Sequence, residues 1–247
     1  MSESDNTETK APLAPKSQSS LGTPLAIVLA GVIIAGAIMF SGDGVSAPVA
    51  GTNPQQPEQK SQKELLKLAE IQPGDHVRGN PNAEVYILEF SDTECPFCKR
   101  FHETMQQVMS EYNGEVAWVY RHFPLAQLHR KAQREAEATE CAAKLGGEDI
   151  FWAYTDRVYE ITPSNDGLED SKLTEIAVEL GLDVAKFTEC LDSGEMADEV
   201  KKDFDNAVAL GGTGTPHSLI VTKDAVIPIR GAQPFDVVKS SLDAVLQ

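Results

Sequence analysis

The stretch TECPFCKRF, residues 93–101, sets two cysteines three apart with a proline between them, where the pattern reads as the start of a helix. Three chemistries use such a pair. A zinc or copper site needs more ligands, typically a second pair of Cys or His. The chain has no second C-x-x-C, and of His76, His102, His122, His129 and His217 no two stand at ligand spacing on one helix, so no metal is expected. A purely structural bridge between Cys95 and Cys98 would close a very short loop and restrain little. The third chemistry is redox. At the N-cap, Cys95 would face unpaired backbone N–H groups and the positive end of the helix dipole. That setting favours a thiolate, which makes Cys95 the attacking sulfur. Pro96 suits the first helical position, where its missing N–H costs nothing. Cys98, one turn on, is the resolving sulfur. Phe97 brings no charge between them, so the pair is expected to oxidise less forcefully than one with a cation there.

Glu89 stands six residues before Cys95, inside the apolar run EVYILEF. A carboxylate in a buried strand is costly unless paired or functional. Buried, its pKa rises and it can relay a proton to or from Cys98. The alternative is that strand alternation turns it to solvent.

The elements around these residues follow from periodicity. EVYILEF (84–90) predicts a buried central strand. PFCKRFHETMQQVMSEY repeats apolar residues at helical spacing and ends on Asn113-Gly114. EVAWVYRHF (115–123) alternates as a second strand, most simply parallel to the first. A long helical stretch follows, about 126–193. EMADEVKKDFDNAVALGG predicts one more helix, HSLIV and AVIPI a hairpin turning at Lys223-Asp224, and FDVVKSSLDAVL a closing helix. The fold class is α/β, a sheet domain over 75–247 with an all-helical insertion.

EVYILEFSDTECPFCKRFHE, GTGTPHSLIV and the helical stretch between them resemble the DsbA-like branch of the thioredoxin-fold disulfide oxidoreductases, over roughly Asp75 to Gln247. The resemblance implies a thioredoxin-like fold and a cis proline, Pro216, facing the cysteines. It implies that Thr215 and Pro216, with Phe97 nearby, bind an extended substrate peptide. It matches Glu89 to the family's proton-relay acid. The chain departs from the pattern at His217, after the proline, which either lies near the cysteines or points away along the strand. His102, one turn after Cys98, is expected on a solvated face. With Cys95 and Cys98 taken as the redox pair, Cys141 and Cys190 remain to pair, and several DsbA-like proteins resemble this in carrying a second, structural disulfide. Two free buried thiols are the alternative. A bridge there would contribute roughly 2–4 kcal/mol.

The 247 residues carry a net charge of −17, which disfavours nucleic acid as a partner. Residues 21–40 are uncharged, near the ~20 that a membrane-crossing helix needs. Lys10 and Lys16 precede them and no Lys or Arg follows until Lys60, which puts residues 1–20 in the cytoplasm. An uncleaved single-pass anchor is expected, with cleavage after Val45-Ser46-Ala47 the alternative. Residues 41–74 read as a flexible linker. The catalytic domain is then expected outside the cytoplasm, on the periplasmic or extracellular face, where disulfides persist.

The expected function is a membrane-tethered thiol–disulfide oxidoreductase donating disulfides to reduced, extended segments of secreted proteins, with no bound cofactor. A membrane redox partner would reoxidise or reduce the pair. The alternatives are an isomerase or reductase kept reduced by its partner, or a thioredoxin-like copper carrier or chaperone.

Overall fold

The computed structural model describes residues 60–247. The expected tail (1–20), the expected anchor (21–40) and the first part of the expected linker lie outside the described residues. Among the described residues no helix is long and apolar enough to cross a membrane.

Five strands form one sheet in the order β1-β3-β2-β4-β5. They are β1 (His76–Arg78), β2 (Val85–Ser91), β3 (Val116–His122), β4 (His217–Val221) and β5 (Val226–Arg230). β2 and β3 run parallel, and β1, β4 and β5 join antiparallel to their neighbours. The parallel pair is central, and its residues are almost continuously buried, as a strand covered on both faces requires.

Between β2 and β3 runs helix α2 (Pro96–Tyr112), giving a strand–helix–strand unit. Asn113 closes α2 in the left-handed conformation at φ 31°, and Gly114 follows at φ 95°. Positive φ at both positions is the reason the helix stops at Asn-Gly. Along β2 the side chains alternate between two cores. Val85 and Ile87 join Cys98, Phe101, Met105 and Val108 of α2 in one. Leu88 and Phe90 join the other, with Val119, Ala207 and Leu219. Residues 89 and 91 therefore project beneath α2.

Helices α3 (Ala132–Gly146), α4 (Glu148–Ile161), α5 (Asp170–Glu179) and α6 (Val184–Ser193) follow β3 and bury a third core of their own. The Cys141–Cys190 disulfide lies in that core and joins α3 to α6. Helix α7 (Ala197–Ala209) returns to the sheet, and α8 (Phe235–Asp243) packs beside α2.

Part of the expected linker is folded. Within 41–74, helix α1 (Gln62–Ala69) starts on a capping box at Ser61 and Glu64. Ala69 is buried, and Leu65, Leu66 and Leu68 pack on the sheet. Buried Arg121 fixes the turn after the helix. It donates to both carboxylate oxygens of Asp75 at 2.7 and 2.6 Å and to the Glu70 carbonyl at 2.8 Å. Composition suggested a tether, but an apolar helix face and a buried ion pair from a distant strand hold this stretch down. β1 went unread because three residues carry no resolvable period.

Candidate active site

Cys95 is the N-cap of α2 and Pro96 its first residue. The Cys95 N–H donates to the Asp92 carbonyl at 3.1 Å, and the Cys95 carbonyl accepts the first helical bond, from Lys99, at 3.1 Å. Both cysteines are free thiols. Cys98 is fully buried, and Cys95 keeps 4% of its surface open. Phe97 is 54% exposed, with the Arg100 guanidinium over its ring at 5.2 Å.

The Thr215–Pro216 peptide is cis and faces this pair. The Cys95 thiol donates to the Thr215 carbonyl across 3.5 Å. The Thr215 hydroxyl is buried and has no hydrogen-bond partner. The Cys95 pKa is drawn down to about 6, chiefly by a hydrogen bond from the Cys98 thiol; Thr215 and the Cys98 and Phe97 amides lower it further, against burial. Burial pushes the Cys98 thiol well up, and the Cys95 sulfur and Glu89 carboxylate raise it more. One sulfur is thus poised as an anion and its neighbour held as a thiol.

Glu89 is fully buried. Burial raises its carboxyl to about 7, while the hydrogen bond from Ser91 works the other way. The Ser91 hydroxyl donates to Glu89 Oε1 at 2.7 Å. Ser91 Oγ also meets the Tyr159 hydroxyl at 2.8 Å, and Tyr159 meets the Tyr120 hydroxyl at 3.0 Å. Glu89 Oε2 has no partner, nor has the buried hydroxyl of Ser218, the residue opposite Glu89 on β4.

The turn into α2 is held by carboxylates. Asp92 accepts from the Glu94 amide at 2.9 Å, from the Leu125 amide at 2.8 Å and from His129 Nδ1 at 2.9 Å. Buried Glu94 accepts from the Gly167 and Leu168 amides at 3.1 and 3.2 Å, tying the turn to the loop after α4. Beside it, Glu135 is raised to about 9 by burial and by Glu94, so it is a neutral acid at pH 7.

The sequence-predicted residues Cys95, Cys98, Glu89, Phe97, Thr215 and Pro216 all come together at this one place. Cys141 and Cys190 lie apart from it, within the insertion. His102 does not meet expectation. It is buried, with Nε2 on Asp156 at 2.7 Å and its ring stacked on Tyr159 at 4.4 Å. The insertion covers a helix face that the local pattern leaves open. His217 stacks on Phe90 at 5.8 Å, and burial lowers its pKa. Ser91, Tyr120 and Tyr159 were not foreseen. Ser91 shares a strand face with Glu89 and was findable by period alone, whereas Tyr159 arrives from another helix.

A family model described as thioredoxin (Thioredoxin_4) matches residues 72–243. The chain is 35% identical over 144 residues to the Na(+)/H(+) antiporter NhaA 1 of Mycolicibacterium gilvum, covering 58% of this chain and 22% of that protein. It is 33% identical over 170 residues to the Na(+)/H(+) antiporter NhaA of Herminiimonas arsenicoxydans, covering 69% of this chain and 25% of that protein. The chain thus matches a quarter or less of the length of these curated relatives. Among solved structures, Pseudomonas aeruginosa DsbA2 superposes with a TM-score of 0.60 at 27% identity, over 71% of this chain and 97% of that one. Oxidised BdbD of Bacillus subtilis shares the fold at a TM-score of 0.62 and 23% identity, over 70% and 92% of the two chains.

Proposed function

This chain belongs to the thioredoxin family, in its DsbA-like branch, and from that premise we propose that it is a protein thiol–disulfide oxidoreductase donating disulfides through Cys95 and Cys98. The observation that carries the reading is Cys95 Sγ at 3.5 Å from the Thr215 carbonyl, with the thiol drawn down to about 6. A stabilised thiolate favours the reduced pair, and a pair that prefers to be reduced is an oxidant.

The chemistry balances as two exchanges. A substrate thiolate attacks Cys95 in the oxidised pair. The Cys95–Cys98 bond breaks, a Cys95–substrate disulfide forms, and Cys98 leaves as a thiolate. Glu89, buried and titrating near neutrality, supplies the proton that neutralises it. A second substrate thiolate then attacks the substrate sulfur and expels the Cys95 thiolate, a good leaving group because of its low pKa. Two substrate thiols have become a disulfide, and the pair is reduced. The backbone at Thr215 and Pro216, beside exposed Phe97, is the docking edge for an extended peptide.

The domain works outside the cytoplasm, tethered by residues 21–40, with the folded part reaching back from 75–247 to include helix α1, and with its helical insertion about 126–193. An uncharged stretch near membrane-crossing length supports the tether. A membrane redox partner reoxidises the pair. The test is oxidation of a reduced dithiol peptide by the oxidised protein, with Cys95→Ser as the comparison. Stoichiometric peptide disulfide with the unaltered chain and none with the variant is expected. Equal activity in both would end the assignment.

A further inference from the structure

Resting on the roles proposed for Cys98 and Glu89, we infer that the Ser91 hydroxyl is the conduit for the proton passing between them. Tyr159 and Tyr120 are positioning residues that hold that hydroxyl in place.

The argument is one of donors and acceptors. A serine hydroxyl has one proton to give and two lone pairs to receive. Ser91 gives its proton to Glu89 Oε1 at 2.7 Å. The Tyr159 hydroxyl, at 2.8 Å, then donates to Ser91 Oγ, and the Tyr120 hydroxyl, at 3.0 Å, donates to Tyr159. One lone pair of Ser91 remains, and Cys98 is packed beneath α2 in the same core as Tyr120 and Tyr159, on the strand face that carries Glu89 and Ser91. Glu89, Ser91, Tyr120, Tyr159 and Cys98 are all buried to within 2% of complete. In such surroundings every hydrogen bond counts for more, and an unmade one is costly.

Along the path every proton that moves finds an acceptor. As Cys98 ionises, its S–H bond breaks and the proton binds Ser91 Oγ, while the original Ser91 O–H bond breaks and that proton binds Glu89 Oε1. Cys98 becomes a thiolate and Glu89 a neutral acid, so the buried charge moves without growing. Glu89 now donates to Ser91, and Ser91 donates to the Cys98 thiolate. Tyr159 donates to Ser91 in both states, so the oxygen keeps its place while its own proton changes direction. When a substrate opens the disulfide, the same atoms run the transfer backwards. Because Tyr159 lies on α4, the helical insertion supplies part of the proton path.

The test isolates attack by Cys98. The full chain is prepared with glutathione in mixed disulfide with Cys95, and glutathione release is followed in single turnover from about pH 5 to about pH 9. In Ser91→Ala, release below neutral pH falls by about tenfold, the effect of losing one hydrogen bond to a charged group, and the profile moves to higher pH. Tyr159→Phe, which removes only a hydroxyl, moves it the same way by a smaller factor. Alkylation of Cys95 in the reduced protein stays unchanged in both, which separates the effect from misfolding. Profiles of Ser91→Ala and Tyr159→Phe that superimpose on the unaltered chain, while Glu89→Gln slows release, overturn the conduit and leave the Glu89 relay standing. If Glu89→Gln also has no effect, conduit and relay fall together. If even the unaltered chain releases no glutathione, the oxidoreductase reading itself fails.

Discussion

The Cys95 thiol and the Thr215 carbonyl meet across 3.5 Å, although 120 residues separate them in the chain. The helix that presents the sulfur and the turn that presents the cis proline come from opposite ends of the domain. β2 and β4 are adjacent in the sheet, so their ends deliver both groups to one edge. The site is a consequence of strand order.

The buried Thr215 hydroxyl makes no hydrogen bond to the Cys95 thiol; its proton is free to turn to the thiolate, and so it helps to lower the Cys95 pKa. In Thr215→Val, of nearly the same shape, the thiolate should titrate about half a unit to one unit above its present value of about 6, the worth of one lost hydrogen bond. Thiolate absorbance against pH measures this. A midpoint that stays in place removes Thr215 from the account of Cys95.

Glu140 sits between two imidazoles, accepting from His76 Nε2 at 3.2 Å and His122 Nε2 at 3.0 Å. Burial opposes the charges, yet His76 is raised to about 9 and Glu140 lowered to about 2 by their hydrogen bonds. The Glu140 contribution is present above pH 4.5 and lost as pH falls towards 2. The His76 contribution is present below pH 6.5 and lost as pH rises through about 9. Glu140→Gln should cost about 3 kcal/mol in urea unfolding at pH 6, because one buried partner is removed and the imidazoles remain. It should also flatten both limbs of the pH–stability curve. A loss under about 1 kcal/mol, the range of exposed pairs, would place the cluster among them energetically.

Glu135 binds a proton in the folded state that the unfolded chain releases near 4.5, since its folded pKa is about 9. Its stabilising effect is full below pH 4.5 and is lost as pH rises through about 9. Glu135→Gln imitates the neutral acid and should remove that part of the slope between those values. Unfolding of both proteins at a series of pH values tests it, and parallel slopes would show that Glu135 is ionised in the fold.

The Cys141–Cys190 bridge closes a loop with a sequence separation of 49. Loop-closure entropy puts the loss in the Cys141→Ala, Cys190→Ala double variant at about 4 kcal/mol. Peptide oxidation by that variant, assayed below its melting temperature, should keep its rate, because the bridge lies away from Cys95. A rate that falls with the stability would instead show that the insertion must stay rigid to hold Tyr159.

Much of the site was legible because its signals are local. Cysteine spacing, proline at the first helical position and an acid six residues earlier all lie within one strand–turn–helix, where backbone geometry fixes their relation. The hairpin at 217–230 was legible for the same reason. Helix α1 misled composition because its apolar face is short and gains meaning only against Leu88, Phe90 and the Arg121–Asp75 pair.

By itself the sequence determined which residues could do chemistry and the periods of the elements that carry them, since both depend on neighbours in the chain. The tertiary structure alone decided what surrounds Glu89 and Cys98. It buried His102 and brought Tyr159 onto Ser91. It set the Thr215 carbonyl against Cys95. These are contacts across 39 to 120 residues of chain. No local periodicity encodes them, because they exist only once the sheet has ordered its strands and the insertion has closed over α2.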